Sequence, residues 1–133
     1  MSLKFTLYTP VGIVCNTVAE EIIVPIDEGS FAIKERHQKH SAALSVGLLR
    51  LKHNGSWVLI LIFGGVLHIN NNQVSVFVTD AQEIRSVDVA EVQTELLKIK
   101  AEMFNLQPAE KRQAILDIER LSALLKASIY LSV

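Results

Sequence analysis

The sequence predicts an N-terminal antiparallel β-sandwich, or flattened barrel, over residues 1–84, followed by a C-terminal α-helical hairpin over residues 85–133. Three observations support this fold class. Apolar and polar residues alternate up to about Asp80, residues typical of turns separate the alternating stretches, and beyond Ile84 apolar residues recur every three or four positions. A chain of 133 residues, half of them apolar, is long enough to bury the core that such a fold requires.

The strands are predicted by alternation and by the turns between them. Apolar residues occupy every second position in two stretches, Leu3, Phe5, Leu7 and Val74, Val76, Val78. Turn-forming residues lie between the strands at TPVG (9–12), PIDEG (25–29), HNGS (53–56) and NNN (70–72). The run WVLILIF (57–63) is apolar on both faces, which predicts a strand without a solvent-facing side.

Two glycines interrupt the apolar run that continues into FGGVLHI. Glycine within a strand pattern indicates a bulge, a sharp bend or the close approach of another backbone. We therefore expect Gly64 and Gly65 to let a central strand turn from one sheet into the next. A direct role in binding a partner is the alternative for this pair.

The second part of the chain has helical periodicity. Five apolar residues share one stripe of the first helix: Val89, Val92, Leu96, Ile99 and Met103. Asp88 with Glu91 resembles a capping box at its start, and Pro108 predicts a break near residues 105–107, where the second helix begins. The second helix has a broader apolar stripe, formed by Ala114, Ile115, Leu116, Ile118, Leu121, Leu124 and Leu125. The segment QEIRS (82–86) is predicted to link the two parts.

Charge and cysteine content exclude several classes of function. Lysine and arginine number 13 against 14 acidic residues, and neither half of the chain is basic, which argues against nucleic-acid binding. The single cysteine, Cys15, offers no internal disulfide and is expected to be a small buried side chain. The longest apolar run is too short for a membrane helix, so membrane association is expected only through partners.

Candidate catalytic chemistry is sparse. In KERHQKH (34–40), His37 and His40 could contribute to a metal site, but no third ligand is evident and a partner-facing loop is the simpler interpretation. Asp117 and Arg120 lie one helical turn apart, which predicts an exposed ion pair or, alternatively, part of a polar face for nucleotide. The scattered carboxylates form no acid and base pair. We expect no catalytic residues, no metal and no cofactor.

Over its whole length the chain resembles the epsilon subunit of F-type ATP synthases, on the plastid or cyanobacterial side of that family. The glycine pair followed by a polar turn and an alternating strand is the most specific of the matching words. The words that carry the resemblance are YTPVGIV (8–14), EEIIVP (20–25), EGSFAIKERHQKHSAAL (28–44), SVGLLRLKHNGSW (45–57), FGGVLHINNNQVSVFVTDAQE (63–83) and AEKRQAI (109–115).

This resemblance implies a non-catalytic rotor subunit of the central stalk that helps to couple proton translocation to ATP synthesis. Its β-sandwich would dock on the gamma subunit and the c-ring, and its helices would restrain ATP hydrolysis by extending towards the catalytic beta subunit. The partner-binding residues implied are Glu28, Gly29, Ser30, His37, Gly64 and Gly65. The location implied is the stromal side of the plastid thylakoid membrane, with the cytoplasmic side of a bacterial inner membrane as the alternative.

The sequence also departs from the family pattern. Where relatives have the loop LPNHAP, this chain keeps His37 but lacks both prolines, so the loop is more charged and less stiff. After Arg120 the last helix contains one further basic residue, Lys126, so we expect it to inhibit ATP hydrolysis only weakly. Leu116, Asp117 and Arg120 match part of a nucleotide-binding word found in bacterial relatives.

Two other functions remain open on the sequence alone. One is a stand-alone nucleotide-sensing regulatory domain, which predicts a saturable ligand and requires no partner. The other is an enzyme, which would need a metal at His37 and His40.

Overall fold

The computed structural model describes residues 3–27, 29–34 and 39–131 of the chain. The chain divides into two compact units, Met1–Glu83 and Ile84–Val133, and the predicted boundary lies one residue beyond this division. The first unit consists of β1 Leu3–Thr9, β2 Gly12–Ala19, β3 Glu21–Ile26, β4 Gly29–Lys34, β5 His40–His53, β6 Ser56–Asn70, β7 Gln73–Val78 and β8 Ala81–Glu83. The second unit contains α1 Val89–Glu102, a single 3₁₀ turn Met103–Asn105 and α2 Pro108–Leu131.

The strands form a β-sandwich, as the sequence predicts. They follow one hydrogen-bonded path in the order β2-β1-β7-β6-β5-β3-β4, with β8 also paired to β6. The long strands β5 and β6 belong to both layers of the sandwich. Sheet A consists of β2, β1 and β7 with residues 65–70 of β6 and 40–44 of β5, and sheet B contains β4, β3 and β8 with the remainder of β5 and β6. Not every pair is antiparallel, because β1 runs parallel to β7.

The glycine pair lies where β6 changes its partner. Residues 60–62 of β6 pair with β8, whereas residues 65–70 pair with β7. Gly64 has φ +82° and Gly65 has φ +152°, conformations that are unfavourable for residues with a Cβ atom. A Cβ atom on Gly65 would lie 2.2 Å from the Phe77 carbonyl oxygen, so the close approach of β7 requires glycine at this position. This arrangement confirms the predicted transition between sheets.

The core of the sandwich is formed by the inward positions of the alternating strands. Leu3, Phe5 and Leu7 of β1 are fully buried, as their spacing predicts. They pack in one cluster with residues from both sheets, including Ile22, Ile33, Leu49, Ile62, Leu67 and Val76. The consecutive residues 59–62 are all buried, which agrees with the predicted strand without a solvent-facing side.

Two tight hairpins fix the register of the long strands. Asn54 and Gly55 connect β5 to β6, and Asn71 and Asn72 connect β6 to β7. All four residues have positive φ, the conformation of a two-residue turn whose twist matches that of paired strands. The Asn54-Gly55 turn is further held by the Glu20 carboxylate, which accepts a hydrogen bond of 3.2 Å from the Gly55 amide.

Both helices begin where the sequence predicts, and the break between them lies near the predicted residues 105–107. Asp88 caps α1, because its Oδ1 accepts a hydrogen bond of 3.1 Å from the Glu91 amide. The chain leaves the 3₁₀ turn after Asn105, and α2 starts at Pro108. The predicted linker 82–86 is partly wrong, since Gln82 and Glu83 belong to β8 and pair with Leu61 and Ile60.

The helical stripes are narrower than predicted. On α2, Ala114 and Leu121 are buried, whereas Ile115 and Leu116 are nearly half exposed. On α1, Val92 is buried and Val89 is exposed. The broad apolar pattern of α2 therefore overestimates the width of its buried face, because covering one face of a helix leaves the residues on its flanks in solvent.

Candidate partner-binding face

The outer face of sheet A is built from three rows of side chains that cross its strands. Because side chains alternate along a strand, the register between strands determines which residues share a row. The first row contains Ile13, Tyr8, Phe77, Val66 and Ala43. The second contains Asn16, Thr6, Ser75, His68 and Ser41, and the third Val18, Lys4, Gln73 and Asn70.

The first row is a band of exposed apolar side chains. Ile13 is 59% exposed, Val66 52% and Phe77 48%, whereas Leu67 and Val76, which neighbour Val66 and Phe77 on their strands, are fully buried. The Tyr8 and Phe77 rings stack with their centroids 4.8 Å apart and an angle of 9° between their planes. Stacked rings that retain exposed surface provide a rigid apolar contact area, which is typical of protein interfaces.

The second row is polar but carries no carboxylate or ammonium group. The Thr6 hydroxyl lies 3.5 Å from Asn16 Oδ1, and Ser41 Oγ lies 3.0 Å from His68 Nδ1. Across all fourteen positions of the three rows, Lys4 is the one residue with a permanent charge. A fifth of the residues of the chain are charged, so about three charges would be expected at fourteen positions. Fewer charges together with exposed aromatic residues are typical of interface cores.

Among the described residues, the predicted partner-binding positions are Gly29, Ser30, Gly64 and Gly65, and none of them belongs to the three rows. Gly29 and Ser30 begin β4 at the edge of sheet B, and both are exposed. Gly64 and Gly65 lie in β6, three strands away across β3 and β5. The structure therefore separates the two glycine-containing segments. Glu28 and His37 lie outside the described residues.

The residues predicted for nucleotide binding all lie on α2. Asp117 does not pair with Arg120; instead its carboxylate accepts a hydrogen bond from Gln113. Arg120 forms an ion pair of 3.6 Å with Glu95 of α1. Leu116 and Lys126 are exposed. The predicted pair within the helix is thus replaced by one bond along α2 and one between the two helices.

An open depression of about 520 Å³ lies on α1. Three carboxylates and one lysine contribute to its lining, which consists of Asp88, Ala90, Glu91, Thr94, Glu95 and Lys98. Carboxylates repel the phosphates of a nucleotide, so this depression is poorly suited to a nucleotide triphosphate.

The described residues provide little for catalysis. No group of three histidine, cysteine or acidic side chains among them is arranged to hold a metal ion. His40 packs against Phe31 at the start of β5, with ring centroids 5.7 Å apart, while His37 lies outside the described part. Burial, reinforced by the Glu83 carboxylate, raises the pKa of the half-buried Cys15 thiol, which lowers its reactivity as a nucleophile. No described helix has the length and apolarity needed to cross a membrane.

The outer face of sheet A is the feature that the sequence prediction missed. Its signal was present in part, since Tyr8, Val66 and Phe77 are apolar or aromatic residues at the outward positions of alternating strands. What links them is the pairing of β1 with β7, two strands separated by more than sixty residues in the chain. Such distant parallel pairing is not specified by any local pattern.

Comparison with known proteins gives consistent matches over the chain. A profile described as the β-sandwich domain of the ATP synthase delta/epsilon chain matches residues 2–84. The chloroplastic ATP synthase epsilon chain of Trieres chinensis is 34% identical over 133 residues, covering 99% of this chain and 100% of that protein. The chloroplastic epsilon chain of Coffea arabica is 34% identical over 116 residues, 86% of each chain.

Two solved structures share the fold. A chain in the mitochondrial ATP synthase of Euglena gracilis, solved as an assembly of OSCP, F1 and c-ring, aligns with a TM-score of 0.84 at 19% identity, covering 95% of this chain and 81% of that one. A chain of the central stalk and c-ring of Tetrahymena thermophila aligns with a TM-score of 0.62 at 22% identity, covering 96% of this chain and 97% of that one.

Proposed function

The chain belongs to the epsilon-chain family of ATP synthases, non-catalytic subunits of the stalk, and we propose that it binds the gamma subunit through the outer face of sheet A. In this position it is a rotor component that helps to couple proton translocation to ATP synthesis. The proposal assigns the contact to a specific surface of the sandwich, where the sequence alone indicated only loops and glycines.

One observation carries this assignment: fourteen neighbouring outward positions contain a single permanent charge and, along one side, an apolar row. Removing exposed apolar surface from water contributes a favourable free energy of about 25 cal/mol for each Å² that a partner covers. A surface with one permanent charge avoids most of the largest desolvation cost when it is covered, because burying an unpaired charge costs more than burying a hydroxyl, an amide or a neutral imidazole. Both properties favour a stable protein partner over a small ligand.

The contact with the c-ring is proposed for a different part of the sandwich, the edge of sheet B. Gly29 and Ser30 are exposed at the edge of sheet B, so they are accessible to the polar loops of the c-ring. Glu28 and His37 complete this proposed contact, as the family resemblance implies. Gly64 and Gly65 take part indirectly, because they allow β6 to join the two sheets.

The helical unit is proposed to restrain ATP hydrolysis when it extends towards the beta subunit. Exposed apolar residues provide surface for such a contact: Leu97 on α1, Phe104 in the 3₁₀ turn and Leu116 on α2. Lys126 is the one basic residue of α2 after Arg120, so charge attraction to the beta subunit is weak. The proposed inhibition of ATP hydrolysis is correspondingly small.

A plastid location is inferred from the chloroplastic relatives. The finer proposal is a peripheral position on the stromal side of the thylakoid membrane, reached through the gamma subunit and the c-ring. Fractionation of intact thylakoids tests it, since the protein should remain with the membranes until the catalytic head is stripped from them.

The substitution Phe77→Lys tests the proposed gamma-binding face. It removes one of the two stacked rings and puts an unpaired charge into the interface. We therefore expect the affinity for gamma to fall at least about tenfold. Trp57→Lys is the matched control: this aromatic residue is 44% exposed but lies at the far end of β6, outside sheet A. Binding to purified gamma is measured by biolayer interferometry, with circular dichroism to verify folding.

Two results would reject the proposed face. The first is equal binding of gamma by the wild type and by Phe77→Lys; the second is an equal loss for both lysine variants. The stand-alone nucleotide-sensing alternative is tested separately by equilibrium dialysis with ATP, where saturable binding lost in Arg120→Ala would support it. Absence of binding at about 1 mM, a concentration corresponding to roughly −4 kcal/mol, would exclude it.

A further inference from the structure

His68 lies at the centre of the face assigned above to gamma binding. It belongs to the middle row, opposite Ser41 of β5 and opposite Ser75 of β7. The ring is half-buried, and its Nδ1 lies 3.0 Å from Ser41 Oγ. Among the fourteen positions, His68 is the one histidine, the residue type whose charge most readily responds to pH near neutrality.

Among the residues that the structure describes, the outward positions around His68 contain no counter-ion for its protonated form. Along its own strand the outward neighbours are Val66 and Asn70. The nearest row positions are Ser41 and Ala43 on β5 and Gln73, Ser75 and Phe77 on β7. Beyond β7, strand β1 contributes Lys4, Thr6 and the phenol Tyr8. No row position holds a carboxylate. Lys39, which directly precedes β5, is also a cation, and His40 alternates to the opposite side from Ser41.

From this placement we infer that His68 makes gamma binding sensitive to pH, with tight binding at neutral to alkaline pH and weaker binding in acid. The inference rests on the proposed function, because it requires gamma to cover the outer face of sheet A. The physical reason is desolvation. Covering the face removes water from the ring, and an imidazolium without an opposite charge loses more hydration energy than a neutral ring.

The sign and size of the effect follow from proton linkage. The complex favours the neutral ring, so binding excludes a proton. Affinity is therefore highest in alkaline solution and declines as the pH falls, by at most about tenfold for each pH unit. The dissociation constant should rise between about pH 8 and about pH 5.5.

The variant His68→Gln separates this mechanism from general acid effects. Glutamine keeps a hydrogen-bonding group opposite Ser41 but does not titrate. We expect it to bind gamma at about pH 8 and to lose most of the acid-induced weakening. His53→Gln is the control: His53 lies at the hairpin end of β5 and is not one of the fourteen positions, and its Nδ1 bonds to the backbone carbonyl oxygen of Val18 at 2.6 Å. This control should keep the wild-type response.

The experiment measures the dissociation constant of the full chain for purified gamma over this pH range, in buffers of equal ionic strength. An NMR titration of the His68 ring adds a direct readout, since the ring should stay neutral to lower pH in the complex than in the free chain. The inference is overturned by an acid response that persists in His68→Gln, by affinity that is independent of pH, or by affinity that increases in acid because gamma supplies a carboxylate. Absence of binding at about pH 8 would instead count against the proposed function itself.

Discussion

At the scale of single residues, Gly64 and Gly65 have different physical roles although they are adjacent. Gly65→Ala would place a Cβ atom 2.2 Å from the Phe77 carbonyl oxygen and 2.8 Å from Val78 Cγ1, so β7 must move. At Gly64 the nearest atom, the Leu44 carbonyl oxygen, is 3.5 Å from the added Cβ, which leaves only the cost of its positive φ. Equilibrium denaturation should show a loss of about 3 kcal/mol or more for Gly65→Ala and about 1 to 2 kcal/mol for Gly64→Ala.

An equal loss for the two alanine variants would contradict this distinction. The sequence predicts that both glycines permit a turn between sheets, and that prediction is confirmed. It does not reveal which of the two is constrained by packing, because the obstructing atom belongs to β7. Alternation along one strand, by contrast, correctly identifies Leu3, Phe5 and Leu7 as core residues, since the period of a strand is a local property.

At the scale of elements, helix boundaries were predictable and helix faces only in part. Asp88 and Pro108 mark the starts of α1 and α2 through local chemistry, a carboxylate cap and a residue that lacks an amide hydrogen. The side chains of Ile115 and Leu116 could not be assigned to solvent in the same way, because their exposure depends on what covers the helix. Likewise, Arg120 pairs with Glu95 because the two helices lie side by side, a contact that spacing along α2 does not encode.

The cap of α1 provides a prediction at this scale. In Asp88→Ala the Glu91 amide loses the carboxylate that accepts its hydrogen bond, and the favourable charge at the helix N-terminus is removed. We expect the helical unit to lose about 1 kcal/mol, seen as faster hydrogen exchange at the first amides of α1. Asp88→Asn, which keeps an acceptor oxygen, should retain most of the protection. Unchanged exchange in the alanine variant would show that the cap contributes nothing.

At the scale of the whole molecule, the candidate interface is a product of topology. Its apolar row combines residues from five strands, and the register of β1 against both β2 and β7 brings Ile13, Tyr8 and Phe77 together. Local patterns predicted the individual strands but not the distant pairing that places these residues in one row. The resemblance correctly indicated a member of the ATP synthase epsilon-chain family, while the described residues that it implied for partner binding lie at the edge of sheet B or in the transition of β6.

An interface with so little charge should respond weakly to salt at a fixed alkaline pH. Raising the salt from about 0.1 M to about 0.5 M shortens the screening length from roughly 10 Å to under 5 Å, which weakens exposed ion pairs but not apolar contacts. Because Lys4 is the one permanent charge on the three rows, the dissociation constant for gamma should change by less than about threefold, and Lys4→Gln should make this small response smaller still. Surface plasmon resonance at both salt concentrations measures it. A loss of about tenfold or more would mean that charged residues outside sheet A, such as the Glu21 and Lys34 pair of sheet B, dominate the contact.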